Sequence, residues 1–401
     1  MGAVRQPPEG GGNRVRISAR SAVVDGALGP VTIRVDDRLI TAVEPHADPE
    51  ADVVLDTGTL TSGLVDIQIN GAFGVDFAAA DEAAWDSVAA RLPSTGVTSF
   101  QPTLITAPLR ELLAGLDTAT EARDRQEDGP YARILGVHLE GPWLSPKKHG
   151  VHEARYLAEP TPQAVDALMS AVGFDILTLL TLAPELPGAL EAIGRLAAAG
   201  VTVSIGHTDA TAAQVEAAAD AGATLVTHIF NAQRGLAHRE PGVPGAALSD
   251  SRYRVGLIAD LHHVAPEICT LIFRAAPGRV VLVTDAIAAA GMPAGSYVLA
   301  GIPVELGEDG VPRNADGTIA GSALTLDQAV RNLLGLGMPL PTVIEAASKV
   351  PADALHRPDL GRIAVGARAD LVHWTEDFHP ARTWVDGREL PALAGTGVGR
   401  V

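Results

Sequence analysis

Apolar runs rich in β-branched residues recur through the middle of the chain: LVDIQIN (64 to 70), VTSFQPTLI (97 to 105), RILGVHLEG (133 to 141), FDILTLLTLAPE (174 to 185), VTVSIGHT (201 to 208), ATLVTHIFNA (223 to 232), YRVGLIADLHH (253 to 263) and GRVVLVTDAI (278 to 287). Most are separated by Ala-rich or amphipathic stretches such as DEAAWDSVAARLPSTG, APLRELLAGLDTATEARDR and LPGALEAIGRLAAAG. Nearly continuous apolar strands alternating with helices mark a parallel sheet covered by helices. Eight such units predict an α/β fold, a closed (β/α)8 TIM-like barrel, over residues 61–357. An open doubly wound sheet is the rival, but no G-x-G-x-x-G directly follows any of these runs.

The two ends read differently. Short β-type runs broken by turn signals fill residues 15–60, and a second set, GRIAVGARADLVHWT and ARTWVDGREL, lies within 358–401. Neither set has enough strands to close a core alone, so the two predict one small β-sandwich domain beside the barrel. Residues 1–14 are Gly- and Pro-rich and are expected to be disordered.

Within the barrel runs, polar side chains gather toward the C-terminal ends: Asp66, Gln68 and Asn70 on the first, Glu140 on the third, His207 on the fifth, His228 on the sixth, His262 and His263 on the seventh, Asp285 on the eighth. A closed barrel brings those ends to one mouth. Glu140, His207 and His228 then form a carboxylate and two-imidazole set suited to a divalent first-row ion with a position left for water. Each alone would more often be a core, capping or surface group; their separations make no compact metal motif, so the reading depends on the barrel. Asp285, beside such a mouth, is placed to take a proton from water and return it to a leaving nitrogen, or more simply to cap the next helix. Two Pro- and Gly-containing loops, GPWLSPKKHGVHEARY and NAQRGLAHREPGVPG, carry His152, Arg234 and Arg239, groups that suit a phosphate or carboxylate; Lys147 and Lys148 read as ordinary solvated cations. Trp143 reads either as a sugar-stacking surface or as a loop anchor.

Composition narrows the partners. The chain has 48 acidic against 30 basic residues and a formal charge of -18, which repels nucleic acid and anionic membranes. One cysteine, Cys269, allows no internal disulfide, and no apolar run reaches membrane length. A cytoplasmic enzyme without nucleic-acid or membrane partners is expected.

The strings HLEGPWLSPKKHGVH, SIGHTDAT, THIFNAQRGLAHREPG, GLIADLHHVAPE, LVTDAI and TIAGSALTLDQAV closely resemble N-acetylglucosamine-6-phosphate deacetylases of the amidohydrolase superfamily, over almost the whole chain. That resemblance implies hydrolysis of the acetamide of N-acetylglucosamine 6-phosphate. Glu140, His207 and His228 would hold one divalent ion, Zn²⁺ first, with Fe²⁺, Co²⁺ or Mn²⁺ as alternatives. Asp285 would be the acid/base and His263 would polarise the acetamide carbonyl. His152 would contact the sugar, Asn231 and Ala232 the phosphate, and Arg239 would reach the phosphate of a neighbouring subunit in a homodimer. Where many superfamily members carry His-x-His, this chain has Gln68 and Asn70. Amides are weak ligands beside imidazole, so both are assigned outer-shell roles and a single tightly held ion is expected. A deacylase or cyclic amidohydrolase of another substrate remains the alternative, and a non-catalytic sugar-phosphate binder a third.

Overall fold

A computed structural model describes residues 14–126, 129–171 and 175–391. The expected disorder of residues 1–14 lies outside these apart from Arg14, which instead opens a strand, Arg14–Val24, in register with Asp36. The C-terminal part of the expected second segment, residues 392–401, also lies outside them.

Eight parallel strands, Leu64–Ile69, Val97–Ile105, Val137–Glu140, Leu177–Leu182, Thr202–Ile205, Leu225–Val226, Arg254–Ile258 and Val280–Val283, pair in sequence order. They close on themselves where the last meets the first: Asp285 N donates to Gln68 O (2.9 Å) and Asn70 N to Ala286 O (2.7 Å). All nine residues of Val97–Ile105 are buried, as a strand covered on both faces requires. The covering helices follow local rules. Thr211 forms a capping box with Gln214 at the start of Ala212–Ala221, and Gly222, at φ 117°, ends it.

One connection departs from the sequence expectation. The Pro- and Gly-rich string after the sixth strand, expected as loop, ends in the first half of the helix Gly242–Ser249. Pro244 falls in its first turn, where a missing N–H breaks no intrahelical bond. After the eighth strand, Gly295–Leu299, Ile302–Leu306 and Pro312–Arg313 make a three-stranded antiparallel sheet. Its buried residues Leu299, Val304 and Leu306 pack with Ile105 and Ile287, which fixes the sheet over one side of the barrel mouth.

Both chain ends build the small sandwich domain as expected. Its sheet of eight strands joins Arg14–Val24, Ala27–Asp36, Leu39–Glu44, Val53–Leu55 and Thr59–Ser62 to Leu371–Trp374, Pro380–Val385 and Arg388–Glu389. Ile17, Ile33, Leu60, Leu371 and Trp384 form its core. It is tied to the foot of the barrel by Arg133, which donates to Asp370 (2.8 Å) and Asp386 (2.7 Å). Among the described residues no helix is long and apolar enough to cross a membrane.

Candidate active site

The carboxyl ends of the barrel strands surround a cavity of about 370 Å³. Asn70, Glu140, His152, His207, His228, Asn231, Ala232, His263 and Asp285 all line it. Nine of the eleven residues to which the resemblance gave a role therefore meet in one place. Gln68 lies just behind the wall, and Arg239 is exposed and does not line the cavity of its own chain.

Glu140 ends its strand and is buried, and its Oε1 lies 3.1 Å from His207 Nε2 and 3.0 Å from His228 Nε2. The two imidazole nitrogens are 3.1 Å apart. Ligand atoms at adjacent corners of a tetrahedral zinc site, with bonds near 2.0–2.1 Å, stand about 3.3–3.4 Å apart. The triangle is thus nearly the right size for one small divalent ion. His207 Nδ1 donates to Lys148 O (3.0 Å), which leaves Nε2 with a bare lone pair toward the other two, as a ligating histidine needs. Burial alone would raise the Glu140 pKa, but the His207 and His228 hydrogen bonds hold it well below the usual carboxylate range.

His152 stands at the edge of this set. Glu140, His152 and His207 offer ligand atoms all within 4.8 Å of one another, so they too make a donor group able to hold a divalent ion. Its Nδ1 meets Thr106 Oγ1 at 2.9 Å, and that hydroxyl donates to Glu140 O (3.2 Å). The Thr106 backbone N–H also donates to Nδ1 (3.4 Å), so the two Thr106 contacts favour opposite tautomers of the ring and Thr106 fixes its position rather than its proton. Burial, with His207 close by, keeps the ring well below the usual histidine pKa and therefore neutral.

His207, His228 and Asp285 each sit two residues past a strand, with φ of 47°, 26° and 49°. Non-glycine residues rarely adopt such angles, and a run of them around one cavity marks backbone held against its preference to aim side chains inward. Gly206, before His207, permits this: a Cβ there would come within 2.7 Å of Thr227 Cβ. One layer below, His138 bridges Thr103 Oγ1 (3.2 Å) and Thr181 Oγ1 (2.7 Å), a buried hydrogen-bonded belt beneath Glu140. Burial pushes His138 down to about 4, so it is a neutral brace.

Gln68 and Asn70 resolve into donors. Gln68 Nε2 and Asn70 Nδ2 both reach Asp285 Oδ1, at 3.1 and 2.9 Å, and Gln68 also touches Glu140 at 3.4 Å. With Oδ1 engaged twice, Oδ2 is the oxygen left to exchange a proton. Burial and the nearby Glu140 charge push Asp285 up to about 6, within reach of neutral-pH proton transfer.

The sequence reading missed several supporting groups. Asp260 Oδ2 lies 2.6 Å from His263 Nδ1, and Asp260 Oδ1 accepts both the His262 and His263 backbone N–H groups. Burial would raise the Asp260 pKa, but His263 outweighs it and keeps the carboxylate ionised. An aspartate three residues before His263 was the available signal. Lys147, exposed to solvent as expected, and the less exposed Lys148 also line the cavity; Asp209 accepts from both Lys147 (3.3 Å) and Arg234 (2.9 Å) at the rim. Trp143 is buried and so is a loop anchor rather than a sugar platform. Leu299, Ile319 and Gly321 come from the segment after the eighth strand and add an apolar wall.

Residues 59–390 match the Amidohydrolase family. The chain is 39% identical over 366 residues to an N-acetylgalactosamine-6-phosphate deacetylase of Escherichia coli O157:H7, covering 91% of this chain and 96% of the relative. It is 37% identical over 353 residues to an N-acetylglucosamine-6-phosphate deacetylase of Vibrio furnissii, covering 87% and 88%. Among solved structures, an N-acetyl-D-glucosamine-6-phosphate deacetylase mutant from Mycobacterium smegmatis, in complex with N-acetyl-D-glucosamine-6-phosphate, superimposes with a TM-score of 0.88 at 35% identity, covering 95% of this chain and 100% of that one.

Proposed function

The chain belongs to the amidohydrolase family, and from that premise we propose that it hydrolyses the acetamide of N-acetylglucosamine 6-phosphate, giving glucosamine 6-phosphate and acetate. The observation that carries the reading is the meeting, in one cavity, of the Glu140, His207 and His228 triangle, the raised Asp285 carboxylate and the Asp260-backed His263. Relatives named for this reaction and for its galactosamine counterpart support the substrate class.

Glu140, His207 and His228 are the ligands of one divalent ion, with Zn²⁺ first and Fe²⁺, Co²⁺ or Mn²⁺ as alternatives; the smaller triangle favours them over the set that includes His152. The ion supplies a Lewis acid that acidifies water and polarises the acetyl carbonyl. Asp285 Oδ2 takes the proton of the attacking water as its oxygen bonds to the carbonyl carbon. His263 donates to the carbonyl oxygen as charge develops there, its ring held by Asp260. When the C–N bond breaks, Asp285 gives the same proton to the departing amine, which is a poor leaving group without it. His152 contacts the sugar. Asn231 and Ala232 meet the phosphate, and Arg239, exposed on its own chain, completes that contact in the partner subunit of a homodimer.

The test is acetate release by protein stripped of metal and resupplied with each ion separately. It compares N-acetylglucosamine 6-phosphate, the galactosamine epimer and unphosphorylated N-acetylglucosamine. Activity should return at one ion per chain and fall in kcat/KM when the phosphate is absent. Absence of acetate with every ion, or equal rates with and without phosphate, would remove the proposal; two tightly held ions per chain after dialysis would remove the outer-shell roles of Gln68 and Asn70.

A further inference from the structure

The residue proposed as proton carrier sits past the end of its strand, at a backbone angle that a side chain other than glycine rarely adopts. Asp285 lies two residues beyond Val280–Val283, at φ 49°. Such an angle persists where the surroundings over-determine it. The barrel sheet supplies only part of that support. Of the four backbone polar groups of Thr284 and Asp285, barrel closure pairs one, Asp285 N with Gln68 O. The other three are paired by two residues to which the reaction above gives no part.

Asp66 holds one side. It lies on the first strand, Leu64–Ile69, and is buried. Its Oδ1 accepts from Thr284 N (3.3 Å) and its Oδ2 from the Thr284 hydroxyl (2.6 Å). That hydroxyl also accepts from Ala286 N (3.2 Å), so one carboxylate ties the residues on both sides of Asp285 to the first strand. Asp66 Oδ1 accepts from Gln68 N as well (3.3 Å), and Gln68 is itself a donor to Asp285 Oδ1. Ser322 holds the other side. It comes 38 residues after Thr284 and is fully buried. Its Oγ donates to Thr284 O (2.6 Å) and its backbone N–H to Asp285 O (2.8 Å), while its carbonyl accepts from Ile287 N (3.0 Å). Ile319 and Gly321, just before it, line the cavity, so the apolar wall of the mouth and the acid share one anchor.

We propose that Asp66 and Ser322 are positioning residues for the reaction: they clamp the Thr284–Asp285 peptide from two sides and so aim the Asp285 carboxyl. The inference rests on the acid/base role given to Asp285 above. A reacting group misplaced by about 1 Å can cost about 10²-fold in rate. A loosened clamp therefore acts on kcat more than on KM.

The full-length, metal-loaded protein tests this through S322A, T284V and T284S, with ion content matched in each. S322A removes one hydroxyl and adds no volume; T284V removes the grip of Asp66 at nearly constant shape. Burial already pushes Asp66 up to about 7, so without the Thr284 hydroxyl it takes a proton instead of standing as an unpaired buried charge, and T284V should fold. Both variants should lower kcat on N-acetylglucosamine 6-phosphate by about tenfold with KM within about twofold. T284S keeps the hydroxyl and should recover most of the loss. Hydrogen exchange should quicken in peptides covering 284–287 and stay unchanged in those covering 202–208, around His207. Wild-type kcat in folded, loaded S322A and T284V overturns the proposal, as does a rise in KM alone or a loss that T284S shares in full. Loss of folding or of the ion in both variants overturns it too, because the pair would then hold the barrel and not the acid. A wild-type protein that releases no acetate instead removes the role of Asp285, and exchange at 284–287 still reads the clamp.

Discussion

Two cavities of nearly equal size, about 370 and about 350 Å³, stand at opposite ends of one barrel and bury their charged groups on different terms. At the foot, cations and anions match. Arg133 is largely buried between Asp370 and Asp386 and its pKa is raised, because their attraction overrides the cost of burial; Asp386 is correspondingly lowered. At the mouth the carboxylates are pulled apart. His207 and His228 hold Glu140 well down, whereas Asp285, buried with Glu140 near it, is pushed up to about 6. The backbone differs as well, since His207, His228 and Asp285 all sit at positive φ. Neutralised pairs are what a joint needs; a pair of acids driven in opposite directions is what a ligand and a proton carrier need.

The largest effect should come from removing the carboxylate proposed as the proton carrier. Asp285→Asn is expected to lower kcat by about 10²–10⁴-fold, the span of general acid/base catalysis, while the protein keeps its ion in metal analysis. Near-normal turnover in the loaded variant would move the acid/base role elsewhere and erase the contrast between the two acids.

At the foot the matching experiment reads stability. Asp370 is 2% exposed and accepts both from Arg133 and from the Asp386 backbone N–H. Asp370→Ala leaves a largely buried guanidinium short of one partner and should cost about 3 kcal/mol in denaturant unfolding, with kcat per folded molecule unchanged. A variant that stays stable but loses turnover would show that the seam speaks to the mouth and is not merely a joint.

The mouth was legible in sequence because a barrel strand announces its own end: an apolar run stops, and the next polar residue is at the rim. Glu140, His207, His228 and Asp285 could each be found that way, and eight repeats gave the closed sheet. What supports them was not legible. The Lys148 carbonyl that fixes the His207 tautomer is backbone and carries no side-chain signature. Thr106 and His138 act across strands at separations that only barrel closure defines. Lys147 is solvated as expected, but its place at the cavity rim was not legible, because nothing in the string shows that Asp209, far along the chain, accepts from it. The foot was less legible still, since Arg133 and Asp386 are 253 residues apart and belong to different units. The helix Gly242–Ser249 was hidden by its own composition, two glycines and a proline in eight residues.

A smaller effect should follow from loosening the mouth's one matched pair. Asp260→Asn keeps the shape and the backbone caps but removes the carboxylate charge from the contact that holds the His263 ring. A fall of about tenfold in kcat, with KM little changed, is expected for a positioning group that strengthens a transition-state donor. A pure KM effect would place Asp260 in substrate binding instead.

The finest test concerns the amides that replace imidazoles on the first strand. Asn70 Nδ2 donates to Asp285 Oδ1 at 2.9 Å and so favours the ionised acid, against burial and Glu140, which raise it to about 6. Asp285 must be ionised to accept a proton, so activity should fall as pH drops through its pKa. In the metal-loaded protein that limb lies below pH 6, because a nearby dication also favours the carboxylate. Removing the donor in Asn70→Ala takes away a lowering influence, and the acid limb of kcat/KM should therefore move up, by about half to one pH unit. The plateau above it should keep most of its height. A limb that stays in place or moves down would leave Asn70 without its part in setting the acid, and would reopen the first-strand amides as direct ligands.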